Sequence, residues 1–161
     1  MAIDFSKVKT ITIPEGSVKK ITDSNGNTLW QWVGWHTVWE GSQKIGYGGQ
    51  TSKFVFATEP YSEALKIRVS FSSMSAYPTS SGDEYSASYI PSNQKSPVTY
   101  ESFSSYQTEL VRAYIRNSSR QSYYESTLYY NKDTGEIYGT ASGNESYARA
   151  YIVITKIEVY N

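Results

Sequence analysis

Three short stretches of this 161-residue chain set tyrosine at alternate positions among arginine or other polar residues. They are Arg112, Tyr114 and Arg116; Tyr123, Glu125, Thr127 and Tyr129; and Tyr147, Arg149 and Tyr151. Successive side chains of an extended strand point to opposite faces, so the members of each set share a face. With Val111, Ala113 and Ile115 turned to a core, Arg112, Tyr114 and Arg116 turn outward. Such a face offers flat aromatic area with hydrogen-bonding tips, the composition favoured at binding surfaces, and a sugar ring stacks readily on it. Arg112, Tyr114, Arg116, Tyr123, Tyr129, Arg149 and Tyr151 are therefore the candidate ligand-binding residues. The competing interpretation is structural, because a tyrosine-rich sandwich can bury many of these rings between its sheets or against a second copy.

Other chemistries have less to build on. The single histidine, His36, lies inside "WVGWHTVWE", with no serine-elbow motif in the chain, so a nucleophile and base pair has no candidate. "GYGGQ" at 46–50 is not placed between a strand and a helix as a phosphate loop would be. Paired carboxylates can meet in space from any sequence positions. Aspartate is scarce, however, and Asp23 and Asp133 sit in turn motifs. The alternation of Asp23, Asn25 and Asn27 invites comparison with a calcium loop, but that loop needs glycine sixth and glutamate twelfth, where this chain has Thr28 and Gly34. No catalytic residue, metal site or cofactor is expected, and the chain is not expected to be an enzyme. The sequons at Asn117 and Asn144 matter only for a secreted eukaryotic chain.

Composition sets the frame. Fifteen basic and fifteen acidic residues cancel, which gives no global attraction to nucleic acid or an anionic membrane. Cysteine is absent, so the fold stands on packing without disulfides. Neither a signal-peptide apolar run nor a stretch of ~20 apolar residues occurs, so neither export through a signal nor membrane insertion is expected. The chain has 16 Tyr, 4 Trp and 5 Phe among many Ser and Thr, a composition that fits pleated surfaces.

The elements that must position the arginine and tyrosine sets are accordingly strands. "VKTIT" at 8–12 returns as "VKKIT" at 18–22, with "IPEGS" between, and "DSNGN" follows. Asn25-Gly26 predicts a type I′ hairpin turn, and residues 8–31 a three-stranded meander. Val8 and Ile11 point to opposite faces, as do Val18 and Ile21, so this module needs a partner to cover it. Beyond it the expected strands are 53–59, 64–73, 96–104, 108–117, 122–131, 135–142 and 146–161, with a long loop over 73–97 that holds one short strand at 85–90. Leu65, Ile67, Val69 and Phe71 are expected inward. Trp30 and Trp32 share one parity, Trp35 and Trp39 the other, as at a joint between two domains. The fold class predicted is all-β: a small N-terminal hairpin or meander module over residues 1–31, then a jelly-roll-like antiparallel β-sandwich over residues 32–161.

"VKTITIPEGSVKKITDSNGNTLWQ" resembles the N-terminal module of tail and receptor-binding proteins in bacteriophages and prophages of Gram-positive, often gut-dwelling, bacteria. "WHTVWEGSQKI", "LKIRVSF" and "YIVITKIEVY" are similar to strands of the sandwich domains in such chains. The resemblance implies a virion structural protein assembled in the host cytoplasm. It implies a homo-oligomer, commonly a trimer, bound to other tail or baseplate proteins through its N-terminal part. The C-terminal part would meet a host-surface glycan. The alternative from the residues alone is a stand-alone carbohydrate-binding module.

Overall fold

The structure, a computed structural model, describes residues 20–31, 33–46, 52–57, 64–78, 85–90, 95–104, 106–117, 122–143 and 148–160. The chain divides into two compact units, residues 1–34 and residues 35–161.

In the first unit, β1 (Lys20–Thr22) and β2 (Thr28–Gln31) pair antiparallel. The Asp23 carboxylate organises the turn between them. Its Oδ1 accepts the N–H groups of Asn25 at 2.9 Å and Asn27 at 2.8 Å, and its Oδ2 accepts the Asn27 side-chain amide at 2.8 Å. The Asn27 side chain, then the backbone donors, hold the Asp23 carboxyl below the usual carboxylate range. The Gly26 N–H donates to the Asp23 carbonyl at 3.1 Å, and Gly26 follows with φ +83°. The turn therefore opens at Asp23 with Ser24 and Asn25 in the middle. This corrects the expected type I′ turn centred on Asn25-Gly26: aspartate caps its own turn two residues on, and only the glycine has to take a positive φ. The expected first strand of the meander, with Val8 and Ile11, and Val18 at the start of the second lie outside the described residues.

The second unit is a sandwich of two antiparallel sheets. One sheet has the order β4 (Ser52–Ala57), β10 (Glu136–Gly143), β9 (Ser122–Asn131), β8 (Gln107–Asn117), β6 (Tyr85–Ile90). The other has the order β3 (Trp35–Ile45), β11 (Ala148–Tyr160), β5 (Lys66–Pro78), β7 (Val98–Tyr100). The nested pairing of β3 with β11 and of β4 with β10 is jelly-roll-like, while β8, β9 and β10 run as a meander. Asn131 Oδ1 accepts the N–H groups of Asp133 and Thr134, and Gly135, at φ +70°, returns its N–H to the Asn131 carbonyl at 2.8 Å. These bonds close a tight β9–β10 connection over "NKDTGE" at 131–136.

The core lies between the sheets. Ile67, Val69, Ile152, Ile154, Ile157 and Val159 from one sheet meet Leu110, Val111, Ala113, Ile115, Leu128 and Ile137 from the other, all buried. Burying each large apolar side chain stabilises by about 1.5–3 kcal/mol. Leu65 departs from the expected inward alternation and is 61 % exposed, because β5 begins only at Lys66. β5 also extends to Pro78, into the stretch expected as loop, where β11 pairs it as far as Ala148. β7 holds only three residues of the longer strand expected there.

Irregularities in pairing redirect side chains. Opposite β11, Trp39 pairs with Ile157 and Thr37 with Glu158, leaving Val38 as an extra residue. Such a bulge switches the face presented on either side of it. Trp39 thus packs on the core, edge-on to Phe56 at 4.9 Å. Trp35 lies edge-on to Tyr160 at 5.5 Å, with the Arg68 guanidinium 4.3 Å over its ring. The shared parity of Trp35 and Trp39 in the sequence does not survive the bulge. The side chains of Trp30 and Trp32 lie outside the described residues.

Candidate functional site

The outer face of the five-stranded sheet gathers most of the predicted residues. On β8, Val111, Ala113, Ile115 and Asn117 are buried inward, so Arg112, Tyr114 and Arg116 face out, as their spacing suggests. On β9, Tyr124, Ser126, Leu128 and Tyr130 are buried inward, and Tyr123, Glu125, Thr127 and Tyr129 share the outer face. Register then fixes which of them meet. Arg116 pairs with Tyr123, Tyr114 with Glu125, Arg112 with Thr127, and Glu109 with Tyr129. Directly opposed side chains in such a ladder have Cβ atoms about 4.5–5.5 Å apart. β6 adds Ser86 beside Arg116 and Ser88 beside Tyr114, and β10 adds Tyr138 beside Tyr129 and Ser142 beside Glu125.

Arg112 is the fixed centre of this face. Its Nη2 lies 3.0 Å from Glu125 Oε2 and its Nη1 3.8 Å from Glu109 Oε2, while its guanidinium stands 4.5 Å over the Tyr114 ring. Ser142 donates to the other Glu125 oxygen at 3.3 Å. Ion pairs this exposed contribute little stability, but several sharing one guanidinium hold it in one geometry. Thr127 is fully buried although it lies on the outer face, so the long side chains around it close over its position. Tyr129 and Tyr138 stack at 5.6 Å with a 33° tilt, and burial pushes both phenols above the ordinary tyrosine range. Lys53 stands 4.2 Å over the Tyr138 ring and binds Glu136 at 2.7 Å. The result is a broad surface of aromatic rings, hydroxyls and guanidinium groups on a rigid sheet.

Tyr151 is elsewhere. It belongs to β11 in the other sheet, pairs with Ser75, and has Lys44 4.6 Å over its ring. Arg149 pairs through its backbone with Tyr77 in that same sheet, and its side chain lies outside the described residues. The seven predicted residues therefore fall on two sheets, with Arg112, Tyr114, Arg116, Tyr123 and Tyr129 forming one surface. Glu109, Tyr138, Ser142 and Lys53 were not foreseen as members of it. The alternation in "EIYGTAS" could have found Tyr138 and Ser142, whereas Glu109 depends on a bulge. Val111 pairs with Leu128 and Glu109 with Tyr129, which leaves Leu110 as an extra, buried residue. The Leu110 carbonyl accepts a hydrogen bond from the Tyr100 hydroxyl, and burial pushes that phenol strongly upward.

His36 sits in β3 opposite Val159. Among the described residues no group of three or more His, Asp or Glu side chains could hold a metal ion, and no helix is long and apolar enough to cross a membrane. No family model, curated protein or solved structure matches the chain.

Proposed function

We propose that the protein is a non-enzymatic adhesion and structural protein of the phage-tail type. The N-terminal module would serve attachment to tail or baseplate proteins and oligomerisation, with a trimer favoured, in a virion assembled in the host cytoplasm. The sandwich would recognise a host-surface glycan. The observation that supports it most is the outer face of the five-stranded sheet, where Tyr114, Tyr123, Tyr129 and Tyr138 alternate with Ser, Thr and Arg side chains on a rigid backbone. Flat rings flanked by fixed hydrogen-bonding groups match the stacked faces and equatorial hydroxyls of sugars. The resemblance of residues 8–31 to tail modules supplies the rest.

Deleting residues 1–31 tests the division of labour. The tail interpretation expects light scattering to show an oligomer for the full chain and loss of assembly on deletion, with binding to host cells dependent on the sandwich. A strict monomer that binds neither cells nor tail proteins would sink it. A stand-alone carbohydrate-binding module is the second possibility. The separation of the chain into two compact units at Gly34 and Trp35 favours it, since the sandwich's buried core begins only at Ile45. Under that alternative, glycan binding is unchanged by the deletion.

A further inference from the structure

Among the described side chains, the cations on the strands of the sandwich are nearly all engaged. Lys53 binds Glu136, Lys66 binds Glu101, Arg68 and Lys156 both bind Glu158, Arg112 lies between Glu109 and Glu125, and Lys44 covers the Tyr151 ring. Arg116 differs. It is exposed, and among the described residues it has neither a carboxylate nor a ring partner. It lies on the outer face of the five-stranded sheet, opposite Tyr123, which is 38 % exposed, and Ser86. The nearest carboxylate along that row of β9, Glu125, is already held by Arg112 and Ser142. Among the described residues, charge on this face is thus split, with two carboxylates at Arg112 and a guanidinium with no carboxylate partner four residues further along β8, roughly 13 Å away at the rise of an extended strand.

A guanidinium presents paired N–H donors that suit the oxygens of a carboxylate, sulfate or phosphate, and a ring beside it gives a sugar a surface to stack on. We infer that Arg116, with the Tyr123 ring and the Ser86 hydroxyl beside it, forms a subsite for an acidic substituent on a glycan laid across this face. The inference rests on the glycan-binding function proposed above and narrows its ligand to an anionic polysaccharide. Tyr123 supplies the stacking surface and Ser86 a hydroxyl next to the anion. Arg112, with its charge already satisfied, orients neutral parts of the chain.

Affinity electrophoresis of the full chain through gels containing dextran, polygalacturonate or dextran sulfate tests this. An acidic polymer should retard the wild type more than dextran does, with a preference between carboxylate and sulfate identifying the substituent. Arg116→Gln should weaken that retardation roughly ten- to a hundredfold, the range for a charge-assisted hydrogen-bonded contact. Arg116→Lys should restore part of it. Lys132→Gln removes another exposed cation, from the β9–β10 turn, and should leave retardation unchanged. Equal losses in Arg116→Gln and Lys132→Gln would reduce the effect to general charge and overturn the subsite. Equal retardation of wild type and Arg116→Gln by dextran and by the acidic polymers would overturn the subsite while leaving glycan adhesion standing. No retardation in any acidic gel overturns it as well, and binding to whole cells then decides the adhesion function separately.

Discussion

Gly46 marks a close approach within the sandwich. It leaves β3 with φ +122°, and a Cβ placed on it would stand 2.4 Å from the Ala150 carbonyl oxygen and 2.5 Å from Ser126 Oγ. Neither neighbour is free to give, since Ser126 Oγ itself donates to Ala150 at 2.7 Å between the sheets. Gly46→Ala should therefore destabilise the protein by roughly 3 kcal/mol or more, combining backbone strain with a clash. Urea unfolding, with the midpoint falling at constant m-value, is the measurement. Glu158 gives a second residue-scale prediction. Arg68 at 2.8 Å, then Lys156 at 3.0 Å, hold its carboxyl below the ordinary glutamate value of 4.5, against the opposing effect of burial. A carboxyl whose folded value is depressed stabilises the fold above its unfolded value and loses that contribution as pH falls through the folded one. Thermal melts between pH 7 and pH 2 should show Glu158→Gln less stable than wild type at neutral pH, with the gap closing below about pH 4.5. A gap that widens on acidification would contradict this.

At the scale of elements, the decisive features are the extra residues in β3 and β8. Strict alternation in "LVRAYIR" and "KIRVSF" correctly separates inward Val111, Ala113, Ile115, Ile67 and Val69 from outward Arg112, Tyr114, Arg116 and Arg68. Alternation also makes Trp35 and Trp39 equivalent, and there it fails, because Val38 shifts the phase between them. A bulge has no composition of its own that a single sequence reveals. It exists because two strands of unequal local length must keep both their hydrophobic rows buried. The same limit explains the candidate surface. Its tyrosines and arginines were visible from spacing, while the grip on Arg112 by Glu109 and Glu125 needs both a bulge at Leu110 and the β8–β9 register. Leu65 was misplaced for a simpler reason: alternation does not say where a strand starts. Removing the bulge supplies the test. Deleting Val38 leaves Trp35, His36, Thr37 and Trp39 opposite Tyr160, Val159, Glu158 and Ile157 in an unbroken ladder, so Trp35 and Trp39 keep opposite faces and both the Trp39 contact with Phe56 and the Arg68 contact with Trp35 are retained. The expected result is a loss no larger than about 1.5–3 kcal/mol, the burial of one valine side chain, with the near-ultraviolet circular dichroism spectrum unchanged; loss of the tryptophan signal would contradict the bulge assignment.

For the whole molecule, the two units differ in what holds them. The described residues of the first unit form a two-stranded ribbon organised by one carboxylate, and isolated ribbons are marginal in water. The sandwich has a buried core running from Ile45 to Val159. A chain comprising residues 35–161 should fold alone with a melting temperature within a few degrees of the full protein, as scanning calorimetry would show. A collapse of cooperativity in that fragment would mean that the core depends on the first unit. Asp23→Ala should leave the sandwich transition untouched while loosening the β1–β2 turn, seen as faster amide exchange at Asn25 and Asn27, whose N–H groups lose their acceptor.

The position of β11 has a consequence in time. It is the central partner in its sheet, flanked by β3 on one side and β5 on the other. Until residues 148–160 leave the ribosome, β3 has no strand beside it in its sheet, and β5 has only the three-residue β7. Contacts that span more than a hundred residues close slowly, because the entropy of the intervening loop must be lost before they form. The nascent sandwich therefore waits with its apolar rows uncovered, and a chain stalled before Ala148 would be a substrate for chaperones or for aggregation.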